Sequence, residues 1–304
     1  MRGIHLALVT ALISGVSIFV NKYAVDAIRQ PLVFTSVKNA GVAVLILTIL
    51  FAGRKWKQIS KLTRKERVYL LLIGVIGGSI PFYLFFTGLA TIPAINGAII
   101  QKTLVIWVTI LAIPFLKEKL TRKAALAVAI LFGANVLVGG FSGFKWSTGE
   151  GLILAATLLW AVETVLAKKI LPTVDPDIVT AARMGIGAVI LLIMSAIMQP
   201  AALGKVTALN LTQMAWVGVT MVLLFFYVRT WYRALKYAPA ITVTAILVAS
   251  TLITNVLSAV FVTHTVSGMM VAQAALMMAG VGTLWRLTKA EATINEAAVS
   301  PASG

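Results

Sequence analysis

Ten stretches of roughly 18–22 mostly apolar residues follow one another along the chain, and no other feature constrains its fold as tightly. At 1.5 Å rise per residue, each makes a helix long enough to cross ~30 Å of hydrocarbon. Inside a bilayer the backbone must satisfy its own N–H and C=O groups, which helices do within a single segment. The expected fold is therefore all-α and integral to the membrane. Its ten transmembrane helices fall at roughly 3–22, 32–52, 68–88, 94–115, 121–140, 150–170, 177–198, 212–232, 239–261 and 266–286. Pro31, Pro93, Pro176 and Pro239 stand at helix starts, where a missing N–H costs nothing. No small-residue cleavage site follows the first apolar run, which reads as a retained span. Residues 288–304 are polar or small and read as a disordered cytoplasmic tail.

Only 12% of the 304 residues are charged, against about a quarter in soluble domains. The net charge of +17 does not imply nucleic acid, because the basic residues sit between apolar spans rather than on one soluble face. They read instead as topology determinants and contacts to membrane lipids. The loop 53–67 alone holds seven: Arg54, Lys55, Lys57, Lys61, Arg64, Lys65 and Arg67. Summed over loops, one side carries eighteen Lys and Arg and the other four. The positive-inside rule then places both termini in the cytoplasm and the chain in the inner (plasma) membrane. The chain has no cysteine and two histidines, His5 and His264, so thiol chemistry is excluded and no metal or cofactor is expected.

Displaced by about 146 residues, the chain repeats itself. Leu89 falls on Leu235, Phe115 on Phe261, and Pro93-Ala94-Ile95 on Pro239-Ala240-Ile241; near 145, Pro31 falls on Pro176, Thr35 on Thr180 and Lys38 on Arg183. The five span boundaries recur at nearly the same shift. Five is odd, so the second copy enters the membrane upside down, about a pseudo-two-fold axis in the membrane plane. The expected units are 1–145 and 146–287, two inverted five-helix repeats.

Phe115-Leu116-Lys117-Glu118-Lys119-Leu120-Thr121 resembles the F-L-G-E-R-L-T junction between the fourth and fifth helices of the drug/metabolite transporter superfamily, EamA-type branch. Ala234-Leu235-Lys236-Tyr237-Ala238-Pro239-Ala240 resembles its A-L-K-Y-x-P-A junction, and Leu159-Trp160-Ala161 its L-W-A in the sixth helix. The resemblance covers nearly the whole chain and implies a transporter without naming a substrate. Two departures stand out: Thr263-His264-Thr265 where the family often repeats its Glu, and Ser14 where a Trp is common.

Charges at helix centres cost ~2.5–3.5 kcal/mol even on the lenient insertion scale, so each calls for a reason. Five stand inside the expected spans: Lys38, Lys102, Glu163, Arg183 and Arg229. Lys38 and Arg183 are repeat mates and read as structural. Glu163 and Arg229 both lie ~10 Å from the basic end. If their faces meet, they form a salt bridge or a coupling and gating pair. Lys102, whose repeat mate is Val248, has no acid at similar depth. An ammonium so placed must lose its proton, reach water or meet an anion, which makes it the leading substrate contact; the competing reading is a lysine snorkelling to the surface.

The family resemblance implies a cavity lined by spans one, three, four, six, eight and nine. It adds Gln101, Ser14, Ser17, Tyr83, Trp160 and Asn255 as substrate-binding candidates, though each alone is more often helix–helix glue. Glu118 reads as structural, neutralising Lys119 or bonding the N–H groups that open span five.

The leading expectation is a secondary carrier of a small organic metabolite, anionic or zwitterionic, possibly for export. The alternative is an exporter of hydrophobic drugs or lipid-linked solutes. A membrane-embedded enzyme would need clustered acids, a Ser/His pair or metal ligands within the spans, and a channel would need like-charge rings or filter loops. The sequence shows neither pattern.

Overall fold

The computed structural model describes residues 2–28, 30–92, 94–136 and 143–299. Every regular element among them is helical: α1 Arg2–Ile28, α2 Pro31–Ala52, α3 Arg64–Gly78, α4 Ile80–Leu89, α5 Ala94–Lys102, α6 Leu104–Leu116, α7 Arg122–Val136, α8 Thr148–Ile170, α9 Pro176–Met198, α10 Pro200–Gly204, α11 Leu211–Tyr237, α12 Ala240–Val248, α13 Ser250–Ser258 and α14 Gly268–Val299. Short 3₁₀ turns, Lys55–Lys61 and Lys205–Ala208, sit in two connections, and a π turn, Ala259–Thr263, follows α13. Nine candidate membrane spans occur among the described residues. The fifth expected span, 121–140, is represented by α7; residues 137–140 lie outside the described residues, as does Pro93.

Local chemistry explains the helix starts. Thr63 with Glu66, Ser147 with Glu150 and Asn210 with Gln213 form capping boxes at α3, α8 and α11. Pro31 and Pro176 occupy the first turn of α2 and α9, whereas Pro239 is the N-cap of α12.

Three expected spans are not continuous. Span three breaks at Ser79, span four kinks at Thr103 and span nine at Ala249. The last two breaks are separated by 146 residues, the repeat shift itself. The last helix corrects a further expectation: α14 runs to Val299, through most of the segment read as disordered, and 300–304 lie outside the described residues.

The packing has two-fold character. α1 lies along α11, and α8 lies along α3 and α4. α2 packs on α9 and α7 on α14. α12 and α13 meet α1 as α5 and α6 meet α8, and α6 crosses α12. Exchanging each span for the one five later returns these principal neighbours. Lys117 after α6 and His264 after the π turn share a left-handed backbone at mated junctions. Close approach needs small residues here: a Cβ on Gly78 would lie 2.0 Å from the Arg183 carbonyl oxygen, and one on Gly187 2.4 Å from that of Gly78. Outward rows such as Ile106, Ile110 and Ile113 leave apolar side chains for lipid.

Candidate functional site

A buried polar contact joins the two halves of the chain where the two kinked spans cross. Lys102 ends α5, one residue before the kink at Thr103; Ser250 opens α13, one residue after the kink at Ala249. Lys102 Nζ donates to Ser250 Oγ at 2.7 Å, and both residues are buried. The ammonium also sits at the C-terminus of its half-helix, where the backbone dipole favours a cation. Among the described residues no carboxylate forms a salt bridge with it. Half-buried Gln101 precedes it, and Trp107 donates through Nε1 to Thr103 Oγ1 at 3.0 Å, bracing the kink.

The break in span three has a chemical cause. A helix would direct the N–H of residue 81 to the carbonyl of Gly77, but residue 81 is proline. Trp160 Nε1 fills the vacancy, donating to Gly77 O at 3.2 Å. Its indole packs against Phe82 and Phe85, with ring centroids 5.5 and 5.6 Å away. Tyr83 is half-buried on the same half-helix.

Beside this break stands Glu163, 1% exposed. It accepts a hydrogen bond from the Tyr232 hydroxyl, and its other oxygen is 3.6 Å from Arg183 Nη1. This corrects the expected pairing with Arg229. It also moves Arg183 from a purely structural reading to the partner of the carboxylate. Arg229 Nε instead donates to Asp177 Oδ1 at 2.9 Å. Asp177, fully buried, further binds Lys55 at 2.7 Å and Arg233 at 3.3 Å, and Lys55 also reaches Asp175 at 2.9 Å. Burial disfavours the charge on Lys55, but its bonds to Asp177 and Asp175 outweigh that and raise its pKa. The sequence reading passed over Asp177 because an acid in a first helical turn looks like a cap. The signal available was the Asp175-Pro176-Asp177 run facing a chain with few other acids.

Two polar layers therefore join α9 to α11. The Asp177 layer lies near the helix end, and the Glu163–Arg183–Tyr232 layer lies ~9 Å deeper, from the six-residue separation along α9. The same end is tied elsewhere. Glu118 accepts from the N–H groups of Ala240 (2.6 Å) and Ile241 (3.1 Å), so it caps α12 in the other repeat rather than span five. Lys168 donates to the carbonyls of Leu235 and Ala238.

The remaining candidates separate. Ser17 and Lys38 share Asn21: its amide donates to Ser17 Oγ at 3.0 Å, and Lys38 Nζ donates to its oxygen at 3.2 Å. Lys38 thus finds a neutral partner where its mate Arg183 finds an acid. Ser14 is buried on α1. Asn255 is turned to α14, donating to Gln273 at 2.8 Å, which makes it an interhelical link rather than part of the kink crossing.

The model of the EamA-like transporter family matches residues 1–140 and again 147–286. The uncharacterized transporter YyaM of Bacillus subtilis is 32% identical over 162 residues, covering 51% of this chain and 52% of that protein. An uncharacterized transporter of Methanothermobacter thermautotrophicus is 29% identical over 152 residues, covering 48% and 44%. The chain thus spans about half the length of these curated relatives. A crystal structure superposes with a TM-score of 0.76 over 94% of this chain and 96% of that one, at 16% identity, which shows a shared fold. Matched twice by one family model, each time over one half of a two-fold bundle, the chain belongs to the EamA-like transporter family.

Proposed function

We propose that the protein carries a small anionic or zwitterionic organic solute across the plasma membrane by alternating access of two inverted repeats, 1–145 and 146–287. The observation that carries this is the Lys102–Ser250 contact. A buried ammonium bonded to a neutral hydroxyl lies where the two kinked helices cross between the repeats, the position at which carriers of this symmetry place substrate. A lysine has three donors and Ser250 takes one, so a carboxylate or phosphate entering the crossing meets an unneutralised charge. Glu163 supplies the coupling group. Protonated, it loses its attraction for Arg183, which loosens the deeper layer between α8, α9 and α11. The lysine-rich end faces the cytoplasm on the positive-inside argument, with both termini there. Transport, rather than chemistry on the solute, is the role assigned.

The aromatic group of Phe82, Phe85 and Trp160 favours a second reading, an exporter of hydrophobic or lipid-linked solutes. Solute counterflow in proteoliposomes separates the two. The carrier reading expects trans-stimulation by an organic anion in the parent protein and its loss in Lys102→Met, with unchanged thermal stability. Counterflow of organic anions that is the same in both proteins would overturn it.

A further inference from the structure

We infer that the cleft at the lysine-rich end, between the two repeats, is a binding site for the headgroup of an anionic phospholipid. The cleft is an open groove of about 520 Å³. Its first-repeat wall is the end of α6 and the junction after it, with Phe115 and Glu118; its second-repeat wall includes Lys168, Lys169, Lys236 and Tyr237. The polar groups divide into those already bonded and those facing the opening. Glu118 spends both oxygens on the Ala240 and Ile241 N–H groups. Lys168 spends its ammonium on the Leu235 and Ala238 carbonyls. Lys169 is exposed, with its ammonium 5.2 Å from the Phe115 ring centroid, and Lys236 is half-buried. Arg2 adds a third cation beside the cleft, 4.7 Å above the Tyr237 ring.

Phe115 and Tyr237, 56% and 48% exposed, stand where apolar helix gives way to basic linker, the level that aromatic side chains mark at a membrane interface. Below Lys169, Val162 and Leu158 stand exposed on the same side of α8 and leave an apolar row spaced for one helix face. A basic cleft opening onto an apolar stripe matches a ligand with an anionic head and an acyl tail, rather than a free anion. Because its walls come from both halves, a bound lipid bridges them at the end already tied by Glu118 and Lys168.

The test is titration of the purified full chain in zwitterionic nanodiscs with phosphatidylglycerol, read as bound lipid by native mass spectrometry and as thermal stabilisation. Saturable binding is expected, weakened roughly twentyfold in Lys169→Gln/Lys236→Gln. It should be retained in Lys169→Arg/Lys236→Arg and in the charge-matched control Lys57→Gln/Lys61→Gln. Equal binding of phosphatidylcholine, or an equal loss in the control pair, would overturn the inference. So would protection by soluble glycerol phosphate as strong as that by the lipid.

Discussion

At Glu163 the whole logic of a buried charge is compressed into one side chain. Its carboxylate is held by Tyr232 and Arg183, and Gly77 leaves the space it occupies: a Cβ there would lie 2.4 Å from Glu163 Cγ. Glu163→Gln keeps a hydrogen-bond acceptor but strands the Arg183 charge, a loss of about 3–5 kcal/mol when one partner of a buried pair is removed. Thermal unfolding should report that loss, while uptake driven by a pH gradient should lose its dependence on the gradient. Persistent gradient-driven accumulation would remove Glu163 from coupling. Lys102 and Ser250 were each visible in the sequence as polar residues in apolar runs. Their meeting was not, because the residue in register with Lys102 is Val248. A shift along the chain relates repeat mates and says nothing of which residues touch across the crossing.

At the scale of elements, the broken span three is a trade between one proline and one indole. Trp160→Phe leaves the Gly77 carbonyl buried without its donor, at about 1–3 kcal/mol. Pro81→Ala restores an N–H at the position that would close the helix onto the same carbonyl. The double variant should therefore recover part of the single loss, and a double-mutant cycle on thermal stability measures it. Strict additivity would show that the Trp160 donor does not stand in for the N–H that Pro81 lacks. The start of α12 has an equally local dependence. Glu118→Ala frees the Ala240 and Ile241 N–H groups and should cost about 1.5–3 kcal/mol, the range for hydrogen bonds to a charged group, with Glu118→Gln intermediate.

For the molecule as a whole, the two ends are related by symmetry but not by chemistry. Asp177 and Glu118 stitch the lysine-rich end, and their counterparts at the other end, Leu32 and the run Thr263-His264-Thr265, include no acid. These acids tie the lysine-rich end in this structure, and under the alternating access proposed above they favour its closure. Asp177→Asn should loosen that end by releasing Arg229 and Arg233 and leaving Lys55 with Asp175 alone. The natural absence of cysteine makes this measurable: a single Thr244→Cys, buried on α12, should be alkylated faster in the Asp177→Asn background. Equal rates in both backgrounds would place the closing interaction elsewhere. The Lys55 bonds also set a pH dependence. Because its folded pKa is raised, its contribution is full below the ordinary lysine value and is lost as pH rises through the raised one. Stability should fall on that alkaline limb in the parent and less steeply in Lys55→Met.

The sequence alone determined the membrane-spanning helices, the repeat and the minority of charges that need an explanation, because each is a consequence of pattern along one dimension: length of apolar run, period, and the cost of a charge in hydrocarbon. Only the tertiary structure decided which charges are partners. Glu163 meets Arg183 rather than Arg229, Glu118 caps a helix in the opposite repeat, and the kinks at Thr103 and Ala249 bring Lys102 to Ser250. Those outcomes depend on helix rotation and crossing angle, set by the packing of small residues such as Gly78 against Gly187. A displacement of a few ångströms there exchanges one partner for another without altering the pattern along the chain.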